Sequence, residues 1–258
     1  ILKNGLGFEK WMNKLIENSG TSAELILITE GINAIRSDIY ENSPDPHAWM
    51  DAENGLIYAE NIYNSLLKLL PNHKAYLEER YLNYQTQIRN TDSYIKQQIV
   101  SIPEGQRILI TSHDAFKYYG QKYGLRLESI LGTSTDAEAQ TRDIERIVEI
   151  IRSSNVPAVF IETTVNPKML KQIAADNNIR VGGSLFSDSL GDKDSKASTY
   201  LDMLRFNTET IVEALAREKD EQLAANQTTQ EAPLAKIFVI IGAVMLLVLG
   251  FFISKRIA

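Results

Sequence analysis

From Lys74 to Ile99 the chain runs without a glycine or a proline, and Leu77, Tyr81, Tyr84, Ile88, Ile95 and Ile99 recur at helical spacing. That pattern predicts one continuous helix of roughly 39 Å at a rise of 1.5 Å per residue. Pro71 stands before it, and Pro103 and Gly105 follow it, so both ends are punctuated. Few strand-to-strand crossovers need a helix of such length. Residues 73–102 are therefore read as a strut between two domains, with the domain boundary on the helix itself.

Strand and helix signals alternate on either side. Short apolar runs at Leu25–Ile28, Ile108–Ile110 and Ala158–Ile161, with a shorter one at Ile179–Val181, are strand-like. Helical spacing recurs in Leu56, Ile62, Tyr63, Leu66 and Leu70, in Ile144, Ile147, Val148 and Ile151, and in Met169, Leu170 and Ile173. Asn166 is suited to cap the last of these, with Pro167 in its first position. Such alternation predicts an α/β fold with parallel-rich sheets, residues 1–72 forming one lobe and 103–217 the other.

The run from Ile237 to Ile253 carries no charge, and its length is near the minimum for a bilayer-spanning helix. A core helix of that length would show a polar face. Lys255 and Arg256 follow the run and only Lys236 precedes it, which favours a cytoplasmic C-terminus. Residues 235–254 are thus read as a transmembrane helix and the polar stretch 218–234 as a tether. The expected location is the cell membrane, single-pass, with the body extracytoplasmic.

Composition narrows the chemistry. There is no cysteine, so any metal must be held by His, Asp or Glu. A net charge of -6 and the lack of a Lys/Arg stripe give no support to a nucleic-acid partner. The chain opens at Ile1 with no signal sequence, and is read as a fragment or a processed product.

Three histidines are present. His47 lies in Asp45-Pro46-His47-Ala48-Trp49, a loop ahead of a helix, where Pro46 restricts the backbone and Trp49 can pack beside the ring. His113 follows the Ile108–Ile110 strand, at the carboxyl end where ligand-binding groups gather in open α/β sheets. His73 sits in a polar turn and reads as an exposed helix-start residue. Two histidines alone do not define a metal site, and the carboxylates are too many to choose among. Asp188 follows the Ile179–Val181 strand and what reads as a Gly182-Gly183 turn; Asp192 and Asp194 read equally well as loop acids.

The order of motifs carries more information. Asn4-Gly5-Leu6-Gly7-Phe8-Glu9, Asp45-Pro46-His47-Ala48-Trp49, Thr111-Ser112-His113-Asp114-Ala115-Phe116, Glu162-Thr163-Thr164-Val165-Asn166-Pro167 and Phe186-Ser187-Asp188-Ser189-Leu190-Gly191 occur in that order. The chain, from residue 1 to about 216, resembles the zinc/manganese solute-binding proteins of ABC transporters, the TroA-like or cluster A-I family. The resemblance implies two α/β lobes joined by one rigid helix, metal bound between them, and His47, His113 and Asp188 as ligands. It further implies a fourth ligand, a histidine ahead of the Asn-Gly-Leu motif, which would fall upstream of Ile1. Glu162 is read as a supporting residue behind the ligands.

The function implied is a monomeric receptor that delivers an ion to a membrane permease. Imidazole-rich ligation favours Zn2+, with Mn2+ as the alternative. The competing reading is a membrane-anchored metallohydrolase, since two histidines and one carboxylate leave an open coordination position. No HExxH helix supports that reading. A third, an adhesin, is compatible with the tether but has no residue pattern of its own.

Overall fold

The chain opens with β1 (Leu2–Lys3), α1 (Lys10–Ser19) and β2 (Ile26–Leu27), followed by α2 (Ala52–Leu69) and α3 (Lys74–Ile99). Then come β3 (Ile108–Thr111), α4 (Lys117–Tyr123), β4 (Arg126–Ser129), α5 (Thr141–Ser153), β5 (Ala158–Glu162), α6 (Lys168–Asp176), β6 (Arg180–Leu185) and α7 (Tyr200–Leu215). The strands pair in parallel, β1 with β2, β3 with β4 and β5 with β6, and β3 also packs beside β5. The result is the α/β arrangement with parallel sheets and one long helix that the alternation predicts. The computed structural model describes residues 1–36, 43–133, 139–154 and 156–216, all within one compact unit, Ile1–Ala216. The tether 218–234 and the apolar run 237–253 lie outside the described residues. Among the described residues, no helix is long and apolar enough to cross a membrane.

Helix α3 covers the residues that its sequence marks, but its two halves live in different surroundings. Near its start Tyr76 and Leu82 are exposed, and α2 packs alongside after a tight 3-10 turn at Pro71–His73. Tyr63 and Tyr81 stack there with centroids 4.5 Å apart. Further on, Ile88, Ile95 and Ile99 are fully buried, and the helix meets α7 and α4. One hydroxyl ties three elements together: Tyr123 of α4 donates to Asp92 Oδ1 of α3 at 3.1 Å and accepts from the Ala52 N–H at 3.3 Å. The segments that lead into α2 and α4, which carry His47 and His113, are thereby held against the same helix.

Gly182-Gly183 is not a turn, and this corrects the sequence reading. Both glycines lie inside β6, which runs on to Leu185. A Cβ on Gly182 would come within 2.7 Å of Ala214 Cβ, and one on Gly183 within 2.4 Å of Thr210 Cγ2. Here the glycines let α7 lie directly on the strand, the close-approach use of glycine in a sheet. A register shift between Val159 and Phe160 of β5 accompanies it. The strand therefore delivers the chain to Phe186 and Asp188 at its carboxyl end.

Two further local readings are refined. Helix α6 begins at Lys168, one residue later than expected, but Asn166 Oδ1 does accept the Lys168 N–H at 3.1 Å. Helix α7 gave no clear signal before Thr199, whose hydroxyl caps it by accepting from the Asp202 N–H. It nonetheless supplies Leu204, Ile211 and Leu215 to the core.

Candidate metal centre

His47 is fixed by its own loop. The Asp45 carboxylate turns back, and its Oδ1 accepts the His47 backbone N–H at 2.9 Å and lies 2.7 Å from the ring Nδ1. Asp45 is itself anchored, because its carbonyl accepts from the Tyr118 hydroxyl at 3.0 Å and its N–H donates to Ile35 O at 2.8 Å. After His47 the backbone enters a short 3-10 turn, Ala48–Met50, and Asp51 caps α2 by accepting from the Glu53 N–H. The Asn4 side-chain amide donates to Pro46 O at 3.1 Å, binding the N-terminal motif to the loop.

His113 leaves the carboxyl end of β3, and Glu162 ends β5 beside it. Glu162 Oε1 accepts the His113 backbone N–H at 2.9 Å, while Oε2 lies 2.5 Å from the ring Nδ1. Each imidazole thus presents Nδ1 to a buried carboxylate. A proton held at Nδ1 leaves the Nε2 lone pair as the donor, the arrangement by which an outer carboxylate orients a metal-ligating histidine.

Both Nε2 atoms converge on Asp188. His47 Nε2 is 3.3 Å from Asp188 Oδ1, and His113 Nε2 is 3.3 Å from Oδ2. The three residues offer ligand atoms that all lie within 4.8 Å of one another. The imidazole side chains are 1% and 0% exposed and Asp188 is 15% exposed, so the carboxylate sits on the open side. His113 Nε2 and Asp188 Oδ1 are buried without a partner of good hydrogen-bond geometry. Such unsatisfied groups cost about 1–3 kcal/mol each. A cation among them would satisfy both, so the donor set fits a divalent metal.

The electrostatics are those of an acid-rich pocket. Burial by itself lowers the His47 pKa, but Asp188 and Asp45 outweigh it and raise it above 6.5. Burial likewise opposes the charge on His113, and Asp188 and Glu162 overcome it to push the ring up to about 10. For Asp188, burial favours the neutral acid, but His113 and His47 beside it hold its carboxyl far below the usual carboxylate range. Both shifts favour the protonated imidazoles, with Asp188 as the carboxylate between them.

The structure thus brings together His47, His113 and Asp188, and puts Glu162 directly behind His113. His73 is exposed at the start of α3, and Asp192 and Asp194 are exposed in their loop. Asp45 is the residue the sequence reading passed over. Its position two residues before His47, with a proline between, was the available cue.

Residues 1–214 match the family described as ZnuA, zinc-uptake complex component A, periplasmic. The zinc-binding protein TroA of Treponema pallidum is 34% identical over 223 residues, covering 84% of this chain and 72% of that one. The manganese-binding lipoprotein MntA of Halalkalibacterium halodurans is 31% identical over 214 residues, covering 83% of this chain and 71% of that one. Among solved structures, the periplasmic zinc-binding protein TroA from Treponema pallidum superposes with a TM-score of 0.79 at 33% identity, covering 84% of this chain and 80% of that one. A Mn-bound periplasmic metal-binding protein from Candidatus Liberibacter asiaticus gives 0.75 at 31% identity, over 83% and 80% of the two chains. This chain belongs to the ZnuA family of periplasmic zinc-uptake complex components.

Proposed function

We propose that the protein is an extracytoplasmic receptor that captures Zn2+, or alternatively Mn2+, through His47, His113 and Asp188 and hands it to the permease of a metal ABC transporter. The observation that carries this reading is the pair of buried imidazoles with both Nε2 atoms turned on one carboxylate and both Nδ1 atoms backed by another. Relatives named for zinc and for manganese both occur, so names do not choose the cargo. Two imidazoles against one carboxylate favour zinc, which also stands above manganese in divalent affinity.

His47, His113 and Asp188 leave a four-coordinate zinc ion one further position, which the receptor reading gives to a histidine upstream of Ile1 and the hydrolase reading leaves open. The neighbouring carboxylates Asp45 and Glu162 are already engaged with the imidazoles, which disfavours either as a general base. Membership in a family of uptake components points the same way. In the receptor reading α3 serves as the strut between an N-terminal and a C-terminal lobe. The charge-free run 237–253, followed by Lys255 and Arg256, supports a membrane tether for the body.

Competition titration against a chromogenic chelator tests the assignment. Tight 1:1 zinc binding that is lost in His47→Ala and in His113→Ala is expected. Zinc binding that survives both substitutions would show that the ion is held elsewhere.

A further inference from the structure

Trp49 is two residues from one proposed ligand and touches the segment that carries another. Its ring packs edge-on to His47 with centroids 5.2 Å apart, and edge-on to Phe8 at the same distance. Its indole Nε1–H donates to the carbonyl of Ser187 at 2.9 Å, across 138 positions of sequence. Its own carbonyl accepts from the Tyr200 hydroxyl at 2.8 Å. Ser187 immediately precedes Asp188.

On its far side the Asp188 segment is anchored to α7. Asn207 of α7 takes the Phe186 N–H at 2.9 Å and donates to the Phe186 carbonyl at 2.7 Å. Asp188 itself faces the two imidazoles at 3.3 Å and Thr164 Oγ1 at 3.4 Å, and the Ser187 hydroxyl meets Thr164 Oγ1 at 3.3 Å, all of them side-chain contacts. The Trp49–Ser187 hydrogen bond is therefore the short, direct tie between the His47 loop and the backbone that carries Asp188. The Ala48–Met50 turn sets Trp49 two residues after His47, with the two rings in edge-on contact.

We infer that Trp49 is a positioning residue that holds the His47 loop and the Asp188 segment at binding distance, and so sets how slowly a captured ion leaves. The inference rests on the receptor reading above and adds a determinant of release to it. A tie of this kind organises the site before the ion arrives, and its loss is felt in dissociation more than in association. Replacing the indole by a phenyl ring removes the donor and keeps an aromatic wall beside His47. The removal of one hydrogen bond corresponds to about a threefold to tenfold change in a rate or equilibrium constant.

The experiment is stopped-flow zinc release from the full chain into excess chelator, paired with the zinc association rate and metal-free thermal unfolding. Trp49→Phe is expected to release zinc about threefold to tenfold faster, with association and metal-free melting near wild type. Tyr200→Phe, which frees the Trp49 carbonyl without touching the indole, is expected to shift release in the same direction by a smaller factor. It is also the variant to read should Trp49→Phe fail to fold. Release unchanged in the folded variants, or slower association in place of faster release, overturns the positioning role. Wild-type chain that takes up neither zinc nor manganese overturns the receptor reading, and this inference falls with it. Wild-type binding with unaltered release in the variants overturns this inference alone.

Discussion

The Glu162 carboxylate meets His113 at two places, taking its backbone N–H on Oε1 at 2.9 Å and facing its Nδ1 with Oε2 at 2.5 Å. Asp45 deals with His47 the same way, although from two residues away and with a single oxygen. One contact is local and the other joins the ends of two strands, yet both leave Nε2 aimed at Asp188. The position of each imidazole is thus set by a carboxylate that faces its Nδ1 and not its Nε2.

Removing either carboxylate's charge should weaken binding without abolishing it. Glu162→Gln and Asp45→Asn are expected to lower zinc affinity by about tenfold to a hundredfold, the usual range for outer partners of metal-bound histidines. Chelator competition measures it. Affinity equal to wild type in both would mean that the imidazoles need no such backing.

Zinc affinity should keep rising with pH well past neutrality. An imidazole must lose its proton to bind, and His113 holds its proton up to about pH 10 in the metal-free site. Between pH 6.5 and 8.5 the apparent affinity is expected to climb by at least about tenfold per pH unit, one proton coming from His113 and His47 adding to the slope as far as its raised pKa extends. An unperturbed histidine would flatten the curve above about pH 7. Titrations at four pH values distinguish the two shapes.

The metal-free fold should respond to pH in the opposite sense. His113 goes from an ordinary value of 6.5 to about 10 on folding, so its contribution is fully present below 6.5 and disappears as pH rises towards 10. Asp188 is depressed from 3.8, so its contribution is present above that value and is lost as pH falls. Metal-free melting is therefore expected to be highest between about pH 4 and 6.5 as far as these groups decide it. A melting temperature that rises steadily from pH 6.5 to 9 in the absence of metal would contradict the charge state assigned to the site.

Along α3, equal truncations should have unequal effects. Ile95→Ala removes a fully buried side chain and is expected to cost about 2–5 kcal/mol. Leu77→Ala, which truncates a half-buried side chain on the mostly exposed stretch near the start of the helix, is expected to cost about 1 kcal/mol. Denaturant unfolding of the two variants gives the comparison, and similar losses would show that the first half of the helix is packed as firmly as the second.

The long helix could be read from sequence because nothing in it competes with helical spacing, and its observed bounds coincide with the pattern. His47 and His113 stood out by their placement at a loop and a strand end, whereas Asp188 was one of several candidate acids and joined them only through the resemblance carried by the order of the motifs. Asp45 was visible as a letter but not as a partner, since only the local turn decides whether a carboxylate folds back on its own loop. Gly182-Gly183 misled for a different reason. A glycine pair serves a turn or a close helix approach equally well, and the deciding atoms, Ala214 Cβ and Thr210 Cγ2, lie about 30 residues further along the chain. Strand β4 passed unnoticed because Arg126 and Glu128 alternate with Leu127 in a segment too short to show a period.

Asp188 stands between two imidazoles, the Nε2 atoms of His47 and His113 each lying 3.3 Å from one of its oxygens. The acids around them raise both imidazole pKa values, so an entering divalent ion would displace protons from the pocket and add less net charge than it carries. A buried site normally faces a large electrostatic reorganisation when a doubly charged ion enters or leaves. Here the displaced protons offset part of that change. A partner that tells the loaded receptor from the empty one has correspondingly less charge difference to read, and more to gain from a difference in shape.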